Sequence, residues 1–274
     1  MPLEVPESVL SAPILSQFSL EDKLCFVTGG AQGFGLEIVR AFAEAGADVC
    51  FTYLTTADDK ATKTAQAIEQ QTGRRILPIC ADVRKRADIA AAIEQAVQAF
   101  KHNGTTRHLD VVVANAGVCR QISSLDYDEE TFDKDYAVNV YGVMWTAQAA
   151  GRIFQKQGHG NLIITVSVSS VLVNTPQPQT SYNSSKAAAA HMGKNLAVEW
   201  VDFARVNCVS PGYVATNMTM SQPEEIRSQW TAQVPARRMA DPRELKGLYV
   251  FLASDASSYM TGANVIIDGA FSVP

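Results

Sequence analysis

The sequence predicts an α/β fold: a doubly wound, seven-stranded parallel sheet with helices on both faces, in a single domain. Three observations predict it. From residue 20 onward, short β-branched runs alternate with longer helical patterns, the order in which parallel strands and crossover helices follow one another. The strand runs are near-continuously apolar rather than alternating, as strands covered on both faces must be. No repeat, low-complexity segment or linker breaks the series.

Residues 1–19 form an N-terminal arm ahead of a domain spanning 20–274. Met1 to Phe18 carries Pro2, Pro6 and Pro13 with Glu4 and Glu7, so it lacks the basic start and the roughly 7–15-residue apolar core of a secretion signal. It reads as a surface arm. The first strand, Leu24–Thr28, runs through a glycine cluster into the helical pattern Phe34–Ala45. Strand Asp48–Tyr53, helix Ala57–Gln71 and strand Arg75–Cys80 follow, then helix Asp88–Phe100 and strand Leu109–Val113. Helix Glu129–Gln155 leads to strand Asn161–Ser167, and helix Thr180–Phe203 to strand Arg205–Ser210. The interval Thr216–Arg238 has weak periodicity and a proline at each end of its helical piece, which marks it as a lid. Helix Pro242–Leu252 and strand Asn264–Ile267 complete the series.

Composition narrows the class. Of 274 residues 47% are hydrophobic and 19% charged, with a net charge of −5. That excludes disorder for the bulk of the chain, and without Lys/Arg runs it argues against a nucleic-acid partner. The most apolar stretch, Leu162 to Val173, is interrupted by Thr165, Ser167, Ser169 and Ser170 and is far short of the ~20 residues of a membrane span. The five cysteines, Cys25, Cys50, Cys80, Cys119 and Cys208, are odd in number and form no CxxC pair. All but Cys119 lie in or beside apolar strand runs, where free cysteine acts as a small hydrophobe. This is the usage of a reducing compartment, the cytoplasm, so the sequons at Asn103, Asn183 and Asn217 carry no meaning.

The glycine cluster reads Thr28-Gly29-Gly30-Ala31-Gln32-Gly33-Phe34-Gly35. Between a first strand and a helix, such glycines permit a tight turn and let backbone N–H groups approach a pyrophosphate at the helix N-terminus. The fold is therefore read as Rossmann-type, although glycine-rich turns also serve simple strand-to-helix packing. No P-loop or nucleophile-elbow motif occurs. The tip of the second strand, Tyr53-Leu54-Thr55-Thr56, has no carboxylate to bind a ribose 2′-OH and repel a 2′-phosphate. That favours NADP(H), with the hydroxyls of Thr55 and Thr56 and the nearby Lys60 available to the phosphate. Gln32 and Thr56 stand where arginine would be convincing, and Asp58 and Asp59 lie close by, so NAD stays possible.

The strongest constellation is Ser169 with Tyr182 and Lys186. Four residues apart on a helix, Tyr182 and Lys186 project from one face, which sets an ammonium beside a phenol. Working near neutral pH asks of tyrosine a shift of about 3 pKa units, roughly 4 kcal/mol, which a nearby cation and a cationic nicotinamide supply. Ser169 lies 13 residues before Tyr182, at the end of the fifth strand, where its hydroxyl can polarise the same carbonyl oxygen. Taken alone, Y-x-x-x-K is a common helical surface pair.

Other features weigh less. His102, His108, His159 and His191 show no metal-ligand spacing with Cys or Glu, so no metal is expected. Cys119 reads as a passive residue near the pocket mouth, Trp145 and Trp200 as packing, and Trp230 in the lid as a substrate contact.

From residue 20 to 272 the chain resembles the short-chain dehydrogenase/reductase family through Thr28–Gly35, Asn115-Ala116-Gly117, Asn139, Ser169, Tyr182-x-x-x-Lys186, Pro211-Gly212 and Ile267-Asp268-Gly269. Within it, residues 173–200, 202–216 and 244–269 look most like the fungal polyol and sugar reductases: NADP-dependent mannitol dehydrogenases, sorbose and L-xylulose reductases and D-arabinitol dehydrogenases. The mannitol enzymes tend to have Arg near Thr56, and the departure bears on the cofactor. The resemblance implies that Tyr182 is the general acid of carbonyl reduction, that Lys186 holds the nicotinamide ribose and lowers the tyrosine pKa, and that Ser169 binds the substrate oxygen. It also implies that Asn139 anchors a water linking Lys186 to solvent. Gly29, Gln32, Gly33, Phe34, Gly35, Tyr53, Thr55 and Thr56 would hold the cofactor, Asp82 and Val83 its adenine, Asn115, Ala116 and Gly117 its further length, and Pro211, Gly212, Val214 and Thr216 its carboxamide end.

The function these readings imply is NADPH-dependent reduction of a small ketose to its polyol, and the reverse. Asn174, Gln177 and Gln179 suit a hydroxylated substrate, while Val171, Leu172 and Val173 suit an apolar one. A ketoreductase for a larger ketone in a biosynthetic pathway is thus the alternative, and a non-catalytic NADP-binding scaffold a further one. The resemblance further implies a homotetramer or homodimer built through Glu129–Gln155 and Thr180–Phe203.

Overall fold

The computed structural model describes residues 5–101 and 108–273. Its strands are β1 Leu24–Val27, β2 Asp48–Tyr53, β3 Ile76–Cys80, β4 Val111–Ala114, β5 Asn161–Thr165, β6 Arg205–Pro211 and β7 Asn264–Ile267. They form one sheet in the order β3-β2-β1-β4-β5-β6-β7, every neighbouring pair parallel. The longer helices are α1 Gly33–Glu44, α2 Asp58–Thr72, α3 Arg86–Ala99, α4 Glu129–Tyr136, α5 Gly142–Gln157, α6 Thr180–Glu199, α7 Glu224–Gln233 and α8 Lys246–Ala253.

Near-continuous apolarity in the strands has its reason in two separate cores. Along β4, Val112 joins a cluster with Ile93 of α3, Phe154 of α5 and Leu196 of α6. Its neighbours Val111 and Val113 join the cluster on the other face, with Phe42 of α1, Ile68 of α2 and Tyr249 of α8. Successive side chains point to opposite faces, so both faces need apolar residues. Each fully buried Phe or Ile contributes about 1.5–3 kcal/mol. Only the edges relax: Ile266 of β7 is 41% exposed and Cys80 of β3 is exposed, unlike the buried Cys25, Cys50 and Cys208.

The chain leaves β1 toward β2 on one side and returns to place β4 on the other. At that switch point the loops after β1 and β4 diverge and leave a crevice at the carboxyl ends of the strands.

Several element boundaries differ from expectation for physical reasons. The helix expected over Glu129–Gln155 is three pieces, α4, a π-turn at Ala137–Tyr141 and α5. The extra residue per turn falls at Asn139, whose fully buried amide is committed to the backbone of Val118. Gly142, just beyond, lies against Val83, where a Cβ would come within 2.9 Å of a Val83 methyl. The fifth strand stops at Thr165 instead of Ser167, because Ser167 caps a 3-10 turn, Val168–Ser170, with its hydroxyl. Pro242–Leu245 is likewise a 3-10 turn, closed by a capping box between Asp241 and Glu244.

In the arm, Glu7–Leu10 and Ile14–Phe18 are short helical turns with Leu10, Ile14 and Leu15 exposed, while Phe18 meets Phe251 of α8 at 6.0 Å. The sequon at Asn103 and His102 lie outside the described residues. Among the described residues no helix is long and apolar enough to cross a membrane.

Candidate active site at the carboxyl ends of the strands

Two cavities open in the crevice. The larger, about 300 Å³, runs from the tip of β2 to Lys186. The smaller, about 100 Å³, lies beyond Tyr182 under the Thr216–Arg238 segment. Tyr182, Phe34 and Thr216 line both, so the tyrosine ring stands at their junction.

The larger cavity begins at the glycine turn. Gly29 sits in the left-handed region at φ +67°, and a Cβ on Gly35 would stand 2.4 Å from the Gly29 carbonyl oxygen. Only glycine permits that approach. Gln32 caps α1 without a side-chain hydrogen bond, so the first-turn N–H groups of a 12-residue helix face the cavity with no side-chain partner, a ready anion site. Thr28 fixes the opposite bank: its Oγ1 accepts from the N–H of Asn115 (2.9 Å) and of Ala116 (3.0 Å). The Asn115 amide donates to the Thr28 carbonyl at 2.9 Å, which leaves its buried Oδ1 without a partner. An uncapped helix start, a glycine cradle and an orphaned acceptor fit a dinucleotide. Gln32, Gly33, Tyr53, Thr55, Thr56, Asp82, Val83, Ala116 and Gly117 line the same cavity.

Charge at its far end is already spoken for. Tyr53 donates to Asp58 at 2.9 Å, and burial first, then Asp58, pushes its phenol up to about 12. Asp82 is held by Arg84 through Nη2 at 2.6 Å, and that guanidinium keeps the carboxyl below its ordinary range. Among the described residues lining this cavity, Lys186 is the one cation.

At the inner end, Lys186 is 3% exposed and donates to the Thr165 carbonyl at 2.9 Å. Its ammonium lies 5.8 Å from the Tyr182 ring centre. Burial pushes Lys186 down to about 8 and pushes the Tyr182 phenol above its ordinary range, with the Ser167 hydroxyl opposing. Burial thus moves this phenol in the direction opposite to the lowering expected from the sequence. Asn139 lines neither cavity: it accepts from Val118 N at 3.0 Å and donates to Val118 O and to Ser185 at 2.9 and 3.0 Å. Its side chain clamps the loop after β4 that carries Gly117.

The smaller cavity has no charged residue in its lining and sets a group of polar side chains among apolar ones such as Val214, Met218 and Trp230. Ser169 donates to Asn174 Oδ1 at 2.6 Å and accepts from Ser167 at 3.1 Å. Gln179 donates to Asn174 Oδ1 at 2.9 Å. Trp230, 2% exposed, donates to Gln177 Oε1 at 2.6 Å. Pro211, Gly212 and Val214 complete the lining. Cys119 also lines it, its thiol pushed up to about 11 by burial and so protonated at neutral pH. Val171 does not take part: it is 57% exposed just past the 3-10 turn and lines neither cavity.

Sequence reasoning passed over two groups. Tyr213, between Gly212 and Val214, stacks on Trp230 at 4.8 Å and 10° and lines the small cavity. An aromatic residue flanked by two residues already assigned to the site was the available signal. Asp135, fully buried, pairs with Arg120 and accepts from Ser181; nothing local marked it.

A phosphate-ready turn at a switch point, beside a helix face carrying tyrosine and lysine, defines a dinucleotide-dependent oxidoreductase. A family model described as Enoyl-(Acyl carrier protein) reductase matches residues 29–272, and the chain belongs to the short-chain dehydrogenase/reductase family. It is 41% identical to a sorbose reductase of Schizosaccharomyces pombe over 93% of this chain and 98% of that protein. It is 38% identical to an NADP-dependent mannitol dehydrogenase of Hypocrea jecorina over 97% and 99%. Among solved structures it superposes on an NADPH-dependent 3-quinuclidinone reductase of Rhodotorula rubra with a TM-score of 0.91 at 33% identity, covering 100% of this chain and 98% of that one.

Proposed function

We propose that this protein is a cytoplasmic NADP(H)-dependent reductase of small ketoses such as fructose, sorbose or xylulose, reversible on their polyols. The observation that carries the reading is Tyr182 at the junction of the cleft that starts at the glycine turn and a small, uncharged cavity into which Ser169, Asn174, Gln177 and Gln179 bring polar groups. Sorbose reductase and mannitol dehydrogenase among its relatives support it. Asn174, Gln177 and Gln179 in the lining of the small cavity support a hydroxylated substrate over a wholly apolar ketone.

Residues 20–274 act as one catalytic domain with Thr216–Arg238 as its lid, and the arm lies outside the chemistry. The first-turn N–H groups of α1 and the glycine turn hold the pyrophosphate, and Thr55 and Thr56 the far ribose. When bound, the nicotinamide supplies a hydride to the carbonyl carbon. Tyr182, kept protonated by burial, gives its proton to the carbonyl oxygen, a role that needs hydrogen-bond reach. Ser169 turns its proton from Asn174 to the same oxygen. Lys186 stabilises the phenolate left behind, and in polyol oxidation it favours the phenolate that accepts the proton. Asn139 holds Gly117 against Lys186, where a Cβ would lie 3.4 Å from both Asn139 Oδ1 and the ammonium.

Val198, Tyr259 and Ile266 are exposed on α6 and near β7. They support assembly as a homotetramer or homodimer through the helices and the sheet edge. Light scattering at micromolar concentration tests it, and a monomer would refute it.

A paired assay with NADPH and NADH over fructose, sorbose, xylulose and bulky cyclic ketones tests the main reading. Turnover of bulky ketones alone would sink it. Tyr182→Phe lowers kcat by roughly 10²–10⁴-fold with NADPH binding retained; unchanged turnover would mean a scaffold, not an enzyme using this tyrosine.

A further inference from the structure

Hydrogen-bond polarity in the small cavity can be read outward from one group that has no choice. The Trp230 indole N–H is donor-only, so the atom it meets at 2.6 Å must be the carbonyl oxygen of Gln177. The Gln177 amide nitrogen then faces the other way and donates to the Tyr213 hydroxyl at 3.1 Å. A second chain arrives from the opposite side. Gln179 and Ser169 both donate to Asn174 Oδ1, at 2.9 and 2.6 Å, which turns the Asn174 amide nitrogen toward Tyr213 at 3.3 Å. The Tyr213 oxygen thus accepts twice. A phenol has two acceptor positions and one proton, so both positions are filled and the proton alone is left. No described residue takes it, and Tyr213 lines the cavity that Ser169 and Tyr182 also line.

We propose that Tyr213 is a substrate-binding residue, whose hydroxyl donates to an uncharged oxygen on the carbon chain beyond the carbonyl and selects hydroxylated, neutral ketones. It deepens the ketose reading and rests on it. Neutrality follows from the lining: among the described residues around this cavity none is ionised, and Cys119 is held protonated. A carboxylate or phosphate there would be desolvated without a cation, at a cost one phenolic hydrogen bond does not offset. A hydroxyl oxygen loses little on entry and takes the waiting proton. Stacking on Trp230 at 4.8 Å and contact with Phe271 at 5.3 Å hold the ring in place, so the donor is set before the substrate arrives.

Tyr213→Phe keeps the stacked ring and removes only the hydroxyl. The experiment compares kcat/KM of the variant and the full wild-type chain, with NADPH, on matched ketones with and without an α-hydroxyl, 2-hydroxycyclohexanone and cyclohexanone, and on sorbose. Losing one hydrogen bond to the substrate is expected to cost about 10- to 100-fold on the hydroxylated ketones and little on the plain one. The melting temperature falls, because the Gln177 and Asn174 amides lose their acceptor, so the readout is the ratio between the two ketones. Equal loss on both members of the pair would show that Tyr213 acts through Asn174 on Ser169, and no loss on either that it has no role; each overturns the proposal. Wild type is also expected to favour sorbose over 5-ketogluconate by at least about tenfold, and the reverse preference would overturn the neutral-substrate part. Should wild type reduce no sugar ketone, the ketose reading fails. The role of Tyr213 is then decided by the same ratio on whichever ketone is reduced and its α-hydroxy counterpart.

Discussion

Asp135 accepts the Arg120 guanidinium on one carboxylate oxygen and the Ser181 hydroxyl on the other, and Ser181 in turn meets the Tyr127 hydroxyl at 2.7 Å. One fully buried carboxylate therefore ties α4 to the segment after β4, where Cys119 lines the small cavity, and to α6 one residue before Tyr182. The two ends of the ion pair differ in burial: the Asp135 side chain is 0% exposed and that of Arg120 38%.

That asymmetry predicts unequal costs. Arg120→Met strands a carboxylate with no water to return to, and breaking a buried pair in this way costs about 3–5 kcal/mol. Asp135→Asn keeps a partner for Ser181 and leaves a guanidinium that can rehydrate, so it should cost less, about 2 kcal/mol. Urea unfolding of the two variants measures the order. If Asp135→Asn proves the more destabilising, the charge on Asp135 is not what holds these three segments.

Lys186 sets a pH dependence. Its ammonium is protonated below about 8 and neutral above, and only the ammonium stabilises a phenolate at Tyr182. kcat/KM for reduction is therefore expected to fall above pH 8, since this parameter reports ionisations of the free enzyme. Stability moves oppositely. The folded-state value lies below that of the unfolded chain, so the folded protein loses the Lys186 proton first, and this group's destabilising contribution, of order 3 kcal/mol below pH 8, is relieved as pH rises from about 8 to the ordinary lysine range. A rate profile flat through pH 9.5 would remove Lys186 from the chemistry.

Much of this was legible in the sequence, and where it was not the cause is distance along the chain. β2 matches its apolar run residue for residue, because it is buried on both faces of the sheet and both demand apolar side chains whatever the neighbours; the edge strand β7 matches too, although it is only partly buried. The glycine turn and the Tyr182–Lys186 face are local patterns of spacing, and the structure brings them together at one crevice. The π-turn at Asn139 depends on Val118, 21 residues away. Asp135 depends on Ser181, 46 residues away, and Tyr213 on Gln177, 36 away. No window along the chain contains both members of those pairs. Val171 erred for a related reason: its place beside Ser169 in sequence says nothing of which way a 3-10 turn faces it.

Thr28 predicts a loss that looks small in composition. Thr28→Val preserves shape at the end of β1 but deletes the oxygen that accepts from Asn115 N and Ala116 N. Two N–H groups beside the nucleotide cleft lose their acceptor, each costing about 1–3 kcal/mol where water cannot replace it. The expected result is a clear fall in melting temperature and NADPH binding weakened more than ketose KM is raised. Fluorescence titration with NADPH and the ketose KM separate the two. A variant with wild-type stability and affinity would show that the Asn115 bank is held by β4 alone.

Cofactor preference rests on what the β2 tip lacks. No carboxylate stands among Tyr53 to Thr56 to repel a 2′-phosphate from the tip itself, while Asp58, accepting from the Tyr53 hydroxyl, keeps its negative charge just beyond it. Yet Lys186 is the one cation among the described residues lining the cleft, and it stands at the other end. Preference for NADPH over NADH should therefore be real but limited, resting on hydroxyls at Thr55 and Thr56 with Lys60 nearby. Thr56→Arg places a guanidinium there, and a charge-assisted pair with phosphate contributes about 1.5–3 kcal/mol. The NADPH dissociation constant is then expected to fall by roughly tenfold or more, with the NADH constant nearly unchanged and kcat on sorbose preserved. Equal tightening of both cofactors would place the new charge on the pyrophosphate they share, and loss of NADPH affinity would show that the 2′-phosphate is held elsewhere along the cleft.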